Sequence, residues 1–321
     1  MDRLLLALDY GGTKHAAAIL RMGERTWAAQ ARVLCPPGAN AEYDQTAVLR
    51  MARELLTQAR GKLVAVGVSF GGPVDVERGV VRLSHHVPGW EDVPLAENLQ
   101  GELGVPASVE NDANVAAFGE WRFGAGRDCH SLLYLTVSTG GGGGWVFGGR
   151  IWDGADGMAG EIGHMVVRQG GMLCVCGKRG CVEAEACGPA IARKAVARLE
   201  ASPQGGRMLR RLAHDRLEAI TAEMVAHAAE QGDELAMDAL QDAATALGDG
   251  IGAAINLINP ERVVLGGGVT KAGEAWWSAV RGAARAVVLP QARVDIRPAG
   301  MADDAPLWGA AALAEEIASR A

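Results

Sequence analysis

Residues 4–14 of the 321-residue chain read LLLALDYGGTK, an apolar run that stops at an acidic residue followed closely by two glycines. An apolar run this short suits a buried β-strand better than a helix. A second apolar run at residues 16–20 follows at once, so the pattern predicts a β-hairpin with a glycine tip. Because Gly11 and Gly12 have no side chains, their backbone N–H groups can approach and hold an anion such as a phosphate.

The same pattern returns about 130 residues later. Residues 131–137 predict a strand, residues 138–144 a glycine-rich turn, and residues 145–147 the start of a return strand. The interval is too long for a solenoid repeat, so we interpret it as two related halves. Further short apolar runs predict strands and longer segments with helical spacing predict helices, which together indicate an α/β architecture. These runs are 64–68, 105–109 and 263–265 for strands, and 189–258 and 308–317 for helices.

The composition is that of a folded globular protein. Hydrophobic residues make up 49% and charged residues 21% of the chain, enough for a sizeable core. Lys and Arg number 31 against 38 Asp and Glu, which gives a formal net charge of −7. This acidic balance argues against a protein whose whole surface binds nucleic acid or anionic lipid. No run approaches the ~20 apolar residues of a membrane span, and the run before Asp9 is too short for a signal peptide, so we expect a cytoplasmic protein.

Two aspartates follow predicted strands. Asp9 directly precedes the first glycine turn, where a carboxylate beside bound phosphates needs a cation such as Mg²⁺ between them. The alternative for Asp9 is an aspartate that caps its own turn. Asp112 opens a predicted helix, which is typical of an N-cap. The same carboxylate can accept the proton of a substrate hydroxyl during phosphoryl transfer, and the amide of Asn111 can bind sugar hydroxyls.

A compact set of one histidine and three cysteines predicts a metal site. The spacing His164-x9-Cys174-x-Cys176-x4-Cys181 supplies the four ligands of a closed, tetrahedral and therefore structural zinc site. The acidic residues Glu161 and Glu183 flank this segment. They are either solvated carboxylates, as most glutamates are, or rigidly held acceptors for the hydroxyl groups of a polyol. The other cysteines (Cys35, Cys129 and Cys187) are scattered and are interpreted as reduced thiols.

Two common nucleotide motifs do not fit the chain. A Walker A motif, Gly-x4-Gly-Lys-Ser/Thr, is absent from the sequence. The nearest match to a dinucleotide fingerprint, Gly248-x-Gly250-x-x-Ala253, lies inside a helical pattern, and we assign it to helix packing.

Taken in order along the chain, these motifs resemble the sugar kinases of the ROK group, within the actin-like, hexokinase-like ATPases. The resemblance covers essentially the whole chain, and its zinc motif is diagnostic of the group. Two segments, residues 120–126 and 135–140, are similar to segments of bacterial glucokinases. The matching stretches are LLLALDYGGTK at 4–14, ENDAN at 110–114, GEIGH at 160–164, CVCGKRGCVE at 174–183 and VLGGG at 264–268.

The resemblance implies an α/β fold of two lobes with a ligand cleft between them. The lobes would be 1–112, with the helix at about 308–321 packed back on it, and 113–307, which carries the zinc loop. It also implies ATP-dependent phosphorylation of a hexose at the 6-hydroxyl, most specifically glucose, with Asp112 as the base. The sugar would contact Gly71, Gly72, Asn111, Asp112, Glu161, His164 and Glu183. ATP and Mg²⁺ would contact Asp9, Gly11, Gly12, Thr13, Lys14, Thr139, Gly140, Gly266 and Gly267, and structural Zn²⁺ would bind His164, Cys174, Cys176 and Cys181.

Departures from the group's pattern leave alternatives open. Cys187 stands where similar kinases usually have serine, and His86 stands near a position where asparagine is common. These changes keep N-acetylmannosamine or another hexose as an alternative substrate, and polyphosphate as an alternative donor. A sugar-responsive regulator is a distant alternative, because such regulators carry a DNA-binding domain ahead of the kinase fold and only eight residues precede Asp9. We expect a homo-oligomer, a dimer or tetramer, with no nucleic-acid partner and no membrane association.

Overall fold

The computed structural model describes residues 2–84 and 87–320 and contains alternating strands and helices, as predicted. The strands are β1 (Arg3–Tyr10), β2 (Lys14–Arg21), β3 (Trp27–Leu34), β4 (Lys62–Phe70), β5 (Val74–Asp75), β6 (Val80–Val81), β7 (Ala107–Asn111), β8 (Ser131–Val137), β9 (Gly141–Phe147), β10 (Arg150–Ile151), β11 (Arg262–Gly266) and β12 (Ile296–Pro298). The helices are α1 (Ala41–Ala59), α2 (Leu95–Leu103), α3 (Asp112–Arg122), α4 (Val182–Ala186), α5 (Gly188–Ala201), α6 (Arg207–Leu212), α7 (Ala222–Glu230), α8 (Glu234–Ile258), α9 (Glu274–Val287) and α10 (Ala305–Arg320).

Two five-stranded sheets have matching strand orders. The first sheet has the order β3-β2-β1-β4-β7 and the second the order β10-β9-β8-β11-β12. In the first sheet β1 is antiparallel to β2 and parallel to β4, and β4 is parallel to β7. In the second sheet β9 is antiparallel to β10 and β11 is parallel to β12. The matching orders agree with the repeated strand–turn–strand pattern of the sequence.

The chain forms two compact units that differ from the lobes expected at the sequence level. The first unit comprises residues 1–134, 144–159 and 299–321, and the second comprises residues 135–143 and 160–298. The division does not fall at Asp112, because α3, which begins there, packs on α10 within the first unit. The lobe limits of 1–112 and 113–307 stay a prediction. Within the first unit, α10 packs on β1 and β4.

Strand β1 is buried on both faces, which explains its unbroken apolar run. Leu4, Leu6 and Leu8 pack into a core that includes residues of α1, while Leu5 and Ala7 on the opposite face are also inaccessible to solvent. Helix α10 approaches β4 at Gly67, where a Cβ atom would lie only 1.9 Å from the carbonyl oxygen of Ala310. The sheet and this helix therefore pack backbone against backbone.

In the second unit the long helix α8 packs closely on α9. A Cβ atom on Gly248 would lie 2.5 Å from the carbonyl oxygen of Val280, and one on Gly252 would lie 2.6 Å from the Cβ atom of Val287. The glycines at 248–253 therefore serve helix packing, as predicted. None of the helices in the described residues is long and apolar enough to cross a lipid bilayer.

Substitution Gly67→Ala tests the packing of α10. The added methyl group would overlap the backbone of α10, so we expect the free energy of unfolding, measured in urea by circular dichroism, to fall by about 3 kcal/mol. The control is Gly101→Ala in α2, where nothing lies within 4 Å of the added carbon. This control should leave stability unchanged or raise it by up to about 1 kcal/mol. Equal losses in both variants would contradict the close approach.

Candidate active site

In the first unit the carboxyl ends of three parallel strands meet at one edge of the sheet. The register pairs Asp9 of β1 with Ser69 of β4, and Ser69 in turn with Glu110 of β7. The next residues along each strand lead into the glycine turn after Tyr10, into Gly71 and Gly72, and into the start of α3. Functional side chains from distant parts of the sequence therefore share one edge, the usual place for ligands in α/β sheets.

Asp9 is a partly buried carboxylate suited to a cation. Its Oδ1 atom accepts a hydrogen bond from the Ser69 hydroxyl at 2.8 Å. Burial raises the pKa of Asp9 to about 6, and the neighbouring charge of Asp112 adds to this, whereas Ser69, Lys14 and Arg32 act in the opposite direction. Two carboxylates at a site of this kind favour a bound divalent cation, and carboxylate oxygens are ligands that Mg²⁺ prefers.

The glycine turn at residues 11–13 joins β1 to β2 and is accessible at its tip. A Cβ atom on Gly11 would lie 2.8 Å from the carbonyl oxygen of Lys14, so the turn requires glycine there. Gly12, Thr13 and Lys14 are exposed, and nothing lies within 4 Å of the Cβ position of Gly12. The turn therefore has the open backbone of an anion-binding loop.

Asn111, and not Asp112, is the N-cap of α3. Its Oδ1 atom accepts hydrogen bonds from the backbone N–H groups of Ala113 and Asn114 at 3.0 and 3.4 Å. Its Nδ2 atom donates to the carbonyl oxygen of Gly72 at 3.1 Å, which leaves one amide hydrogen for another partner. The side chain thus ties the helix start to the glycine pair.

Asp112 occupies the first turn of α3 and is half-buried. Its Oδ1 atom accepts a hydrogen bond from the N–H of Ala113 at 2.8 Å. A Cβ atom on Gly71 would lie 3.7 Å from the Oδ2 atom of Asp112, so Gly71 lies directly beside this oxygen. Gly72 has a different role, since a Cβ atom there would lie 2.6 Å from the carbonyl oxygen of Leu83. The helix N-terminus favours negative charge on Asp112.

Glu110 is buried directly behind these residues. Its Oε1 atom accepts hydrogen bonds from the Asn111 backbone N–H at 2.7 Å and from the Asn114 side chain at 3.1 Å. Burial, reinforced by the charge of Asp153, raises the pKa of Glu110 to about 7 although these hydrogen bonds act against the shift. Glu110 therefore holds the backbone of Asn111 in place.

In the second unit the turn after β8 is held by α4. Glu183 accepts a hydrogen bond from the Gly141 N–H at 2.9 Å, and its Oε2 atom would lie 2.8 Å from a Cβ atom on Gly140. A Cβ atom on Gly163 would lie 2.0 Å from the carbonyl oxygen of Gly141. Strand β9 begins at Gly141, so the turn is shorter than the predicted 138–144, and Thr139 is exposed at its tip.

His164 links this turn region to a cluster of cysteines. Its Nδ1 atom lies 3.5 Å from the sulfur of Cys174, and its Nε2 atom faces Glu161 with 3.8 Å to Oε2. The sulfurs of Cys176 and Cys181 lie 3.7 Å apart. Ligand atoms of all four cluster residues lie within 4.8 Å of one another. Separations of this size fit a tetrahedral zinc ion, for which bonds of about 2.0–2.3 Å place the ligand atoms about 3.3–3.8 Å apart.

A buried ion-pair network supports the same loop. Glu185 on α4 accepts a hydrogen bond from the Met172 N–H at 2.7 Å and pairs with Lys194 at 2.7 Å. Lys194 also pairs with Asp242 of α8 at 2.9 Å, and Arg168 from the loop pairs with the same carboxylate. The loop is therefore anchored to helices α4, α5 and α8.

The glycine turn after β11, residues 266–268, lies beside the turn after β8. Gly267 follows β11 with a φ of 88°, and a Cβ atom there would lie 2.4 Å from the carbonyl oxygen of Val137. A Cβ atom on Gly268 would lie 3.8 Å from the hydroxyl of Ser138. Gly266, Gly267 and the turn at 138–140 are thus neighbours, as a shared nucleotide-binding role requires.

The predicted site residues fall into two groups, each held within one unit. The His86 position lies outside the described residues, and Cys187 is buried between α4 and α5. The first group comprises Asp9, Gly11, Gly12, Thr13, Lys14, Gly71, Gly72, Asn111 and Asp112. The second group comprises Thr139, Gly140, Glu161, His164, Cys174, Cys176, Cys181, Glu183, Gly266 and Gly267.

Comparison with known proteins settles the family. The pattern of the ROK family matches residues 5–317. The chain belongs to the ROK family. This ROK protein is 32% identical over 318 residues to a glucokinase of Streptomyces coelicolor, a match that covers 98% of each chain. A putative xylose repressor of Caldicellulosiruptor is 33% identical over 219 residues, which cover 68% of this ROK protein but only 54% of the repressor.

Solved structures agree with this assignment. A ROK hexokinase from Thermus thermophilus matches with a TM-score of 0.84 and 33% identity over 99% of this ROK protein and 100% of the hexokinase. A ROK family glucokinase from Streptomyces griseus, in complex with glucose and AMPPNP, matches with a TM-score of 0.80 and 33% identity over 98% and 99% of the two chains. The predicted membership of the ROK group and the α/β fold of actin-like ATPases are confirmed.

Three residues of this ROK protein were missed at the sequence level. Ser69 bonds Asp9, Arg32 contributes positive charge near Asp9, and Glu110 holds Asn111. Ser69 and Glu110 are polar residues at the ends of apolar strands, a signal that could have indicated them. Arg32 lies on an ordinary half-exposed strand, and its sequence neighbourhood carries no such signal.

Substitution Glu110→Gln tests the buried carboxyl through the pH dependence of stability. The pKa of Glu110 is raised from 4.5 to about 7, so its protonated form favours folding below about pH 4.5 and this contribution is lost as the pH rises through 7. Glutamine keeps the acceptor oxygen without the charge. In urea unfolding we expect the variant to gain on the order of 3 kcal/mol relative to wild type between pH 4.5 and 8. The control Glu77→Gln, at an exposed turn, should show no such gain, and parallel pH profiles for wild type and Glu110→Gln would contradict the shift.

Proposed function

We propose that this ROK protein transfers the terminal phosphoryl group of ATP to the 6-hydroxyl of glucose. The observation that carries the proposal is the placement of Asn111 and Asp112, at the start of α3, at the same sheet edge as Asp9. One carboxylate is thereby available for a substrate hydroxyl and the other for a nucleotide-bound cation. The glucokinase relative that aligns over 98% of both chains supports glucose as the acceptor.

Asp112 acts as the base in this reaction. Its carboxylate accepts the proton of the 6-hydroxyl while that oxygen forms a bond to the γ-phosphorus, and the bond from the γ-phosphorus to the bridging oxygen breaks to release ADP. Phosphoryl transfer has a loose transition state, so the base mainly orients the hydroxyl and accepts its proton late. Gly71 lies beside the Oδ2 atom of Asp112, and its lack of a side chain removes one obstacle to the hydroxyl.

The glycine turns bind the nucleotide. Backbone N–H groups at Gly11 and Gly12, with the charge of Lys14, bind phosphate oxygens, and Thr13 adds a hydroxyl. Thr139 and Gly140 form a second phosphate turn, and Gly266 and Gly267 lie near the adenosine. Asp9 is the residue that would hold Mg²⁺, which when bound neutralises phosphate charge.

The sugar is bound by side chains already fixed through other contacts. Asn111 offers its second amide hydrogen, and Glu183 is oriented by the Gly141 N–H. His164 presents Nε2 beside Glu161, while its Nδ1 belongs to the cysteine cluster. Rigid donors and acceptors of this kind suit a polyol because less side-chain entropy is lost on binding.

The Cys174–Cys176–Cys181–His164 cluster binds a structural zinc ion. Four protein ligands close the coordination sphere, so the ion shapes the loop and performs no chemistry. The backbone N–H of Lys178 lowers the pKa of the Cys176 thiol, which favours the thiolate that zinc binds. Cytoplasmic location, a homo-oligomeric state and the lack of a nucleic-acid partner stay predictions.

A panel of sugars and donors tests the substrate assignment. We expect ADP release, followed by a coupled assay, to depend on glucose with a kcat/KM at least tenfold above that for mannose or N-acetylmannosamine. Polyphosphate in place of ATP should not support glucose 6-phosphate formation at a comparable rate. A higher kcat/KM for another hexose would change the acceptor and keep the kinase. A lack of turnover with every sugar, together with tight sugar binding, would favour the regulator.

Substitution Asp112→Asn tests the base. The amide cannot accept the hydroxyl proton, so turnover should fall by about 10²–10⁴-fold, while calorimetry should still detect glucose binding. Asp128→Asn, at an exposed position of the same unit, is the matched control and should retain wild-type turnover. Turnover of the Asp112→Asn variant within a few-fold of wild type would contradict the assigned role.

A further inference from the structure

A second cluster of ligand-type side chains lies in the first unit and has no part in the proposed reaction. The Nε2 atom of His15 lies 2.8 Å from the Oδ1 atom of Asp44 and 3.3 Å from the sulfur of Cys35. His15 and Asp44 are almost fully buried, with 1% and 2% of their surfaces exposed, whereas Cys35 is half-buried. All three ligand atoms lie within 4.8 Å of one another.

Three separate elements bring these side chains together. His15 lies on β2 directly after the glycine turn, Cys35 follows the end of β3, and Asp44 is in the first turn of α1. The other oxygen of Asp44, Oδ2, accepts a hydrogen bond from the indole N–H of Trp90 at 3.1 Å. Asp44 is therefore oriented by an outer partner, as metal-binding carboxylates commonly are.

Hydrogen bonding leaves one nitrogen of this cluster without a partner. If Nε2 of His15 carries a proton, it donates to Asp44, and the thiol of Cys35 can donate to the carbonyl oxygen of Gly11, 3.7 Å from the sulfur. If Nε2 is unprotonated, its lone pair faces the carboxylate oxygen of Asp44 at 2.8 Å. The Nδ1 atom of His15 is also buried and has no hydrogen-bond partner among the described residues. A buried nitrogen without a hydrogen-bond partner costs free energy.

A zinc ion is an alternative partner for all three side chains. Imidazole nitrogen, thiolate sulfur and carboxylate oxygen are its usual protein ligands, and each presents a lone pair to the same point. Bonds of about 2.0–2.3 Å in a tetrahedral arrangement place such atoms about 3.3–3.6 Å apart, so the nitrogen–oxygen distance has to widen by about 0.5 Å. One thiolate and one carboxylate balance the two positive charges, which makes the occupied site neutral and favours its burial.

We propose that His15, Cys35 and Asp44 form a second zinc-binding site, in the other unit from the four-ligand cysteine cluster. Three protein ligands leave the fourth position to water on the half-exposed side of Cys35, which is also the path of entry. Zinc is favoured over Mg²⁺ because a thiolate and an imidazole are poor ligands for a hard cation.

The site is attached to the glycine turn that follows β1. The backbone N–H of Cys35 donates to the carbonyl oxygen of Thr13 at 2.9 Å, and the sulfur of Cys35 lies 3.7 Å from the carbonyl oxygen of Gly11. Bound zinc therefore fixes the base of this turn from behind while the exposed tip stays accessible. Its role is to hold the turn's shape and involves no chemical step.

Zinc content of the purified full chain tests the site. After saturation with zinc and dialysis without a strong chelator, we expect inductively coupled plasma mass spectrometry to find about two zinc ions per wild-type chain. Cys35→Ser should lose about one ion, and the matched control Cys129→Ser, a buried cysteine of the same unit, should lose none. A wild type with one ion and a Cys35→Ser variant with none would support this site and exclude zinc from the cysteine cluster. Equal zinc content in wild type and Cys35→Ser would overturn the proposal.

Alkylation of Cys35 gives a second readout specific to the residue. With the peptide that contains Cys35 followed by mass spectrometry, zinc should slow alkylation by iodoacetamide at least tenfold in wild type. The protection should disappear in Asp44→Asn, which retains an oxygen for Trp90 but loses the charge. Circular dichroism verifies that the Cys35→Ser and Asp44→Asn variants are folded. Alkylation at the same rate with and without zinc in wild type would also overturn the proposal.

Discussion

The in-register parallel pairing of β1 with β4 and of β4 with β7 is the constraint on which the first unit depends. It places Asp9, Ser69 and Glu110 side by side, although Asp9 and Ser69 are 60 positions apart in the sequence. A shift by one residue would turn each side chain to the opposite face of the sheet. Both faces of β1 are buried, because its apolar residues pack toward α1 on one face and toward α10 on the other.

In the second unit, side-chain hydrogen bonds, a close backbone contact and ion pairs hold the loops in place. There the loop that carries the cysteine cluster is joined to the turn after β8 through Glu183 and through the contact of Gly163 with Gly141. The charged pair of Glu185 and Lys194 is buried, and such a pair costs desolvation. Its further partners, the Met172 N–H and Asp242, offset that cost. The main effect of the network is therefore to hold the loop in one position, and its net contribution to the free energy of unfolding is small.

Local sequence patterns predicted most of the elements but not their fine boundaries. The apolar runs gave the hairpin strands, and the glycines gave the turns, because both signals lie within a few residues. The cap of α3 was expected at Asp112 and lies at Asn111, since both side chains suit the position and only the packing against Gly72 selects one. The turn after β8 is shorter than expected because glycines 141–144 continue the strand, and at Gly144 a Cβ atom would lie only 2.8 Å from the carbonyl oxygen of Ala113.

Contacts between distant segments were out of reach of sequence patterns. Nothing near Ser69 or Glu110 states which strand lies beside them. The meeting of His15, Cys35 and Asp44 depends on how α1 packs against β2 and the end of β3, which no short segment encodes. The metal cluster at residues 164–181 is the opposite case, because all of its ligands belong to one short segment. Sequence analysis therefore found residues that belong to a recognisable local motif, such as Asp9 and Asp112, and missed Ser69, Arg32 and Glu110, whose contacts depend on strand pairing.

The packing of α10 on β1 and β4 has a consequence for biosynthesis. A ribosome makes β1 and β4 before the second unit, and it makes residues 305–320 only after the whole second unit has been synthesised. Until then one face of the first sheet lacks its cover, and the nascent chain presents Leu5 and Ala7 to its surroundings. Such exposed apolar surface is what chaperones bind. The second unit, whose residues are all made earlier than α10, is able to fold first, so that the order of folding is the reverse of the order of the chain.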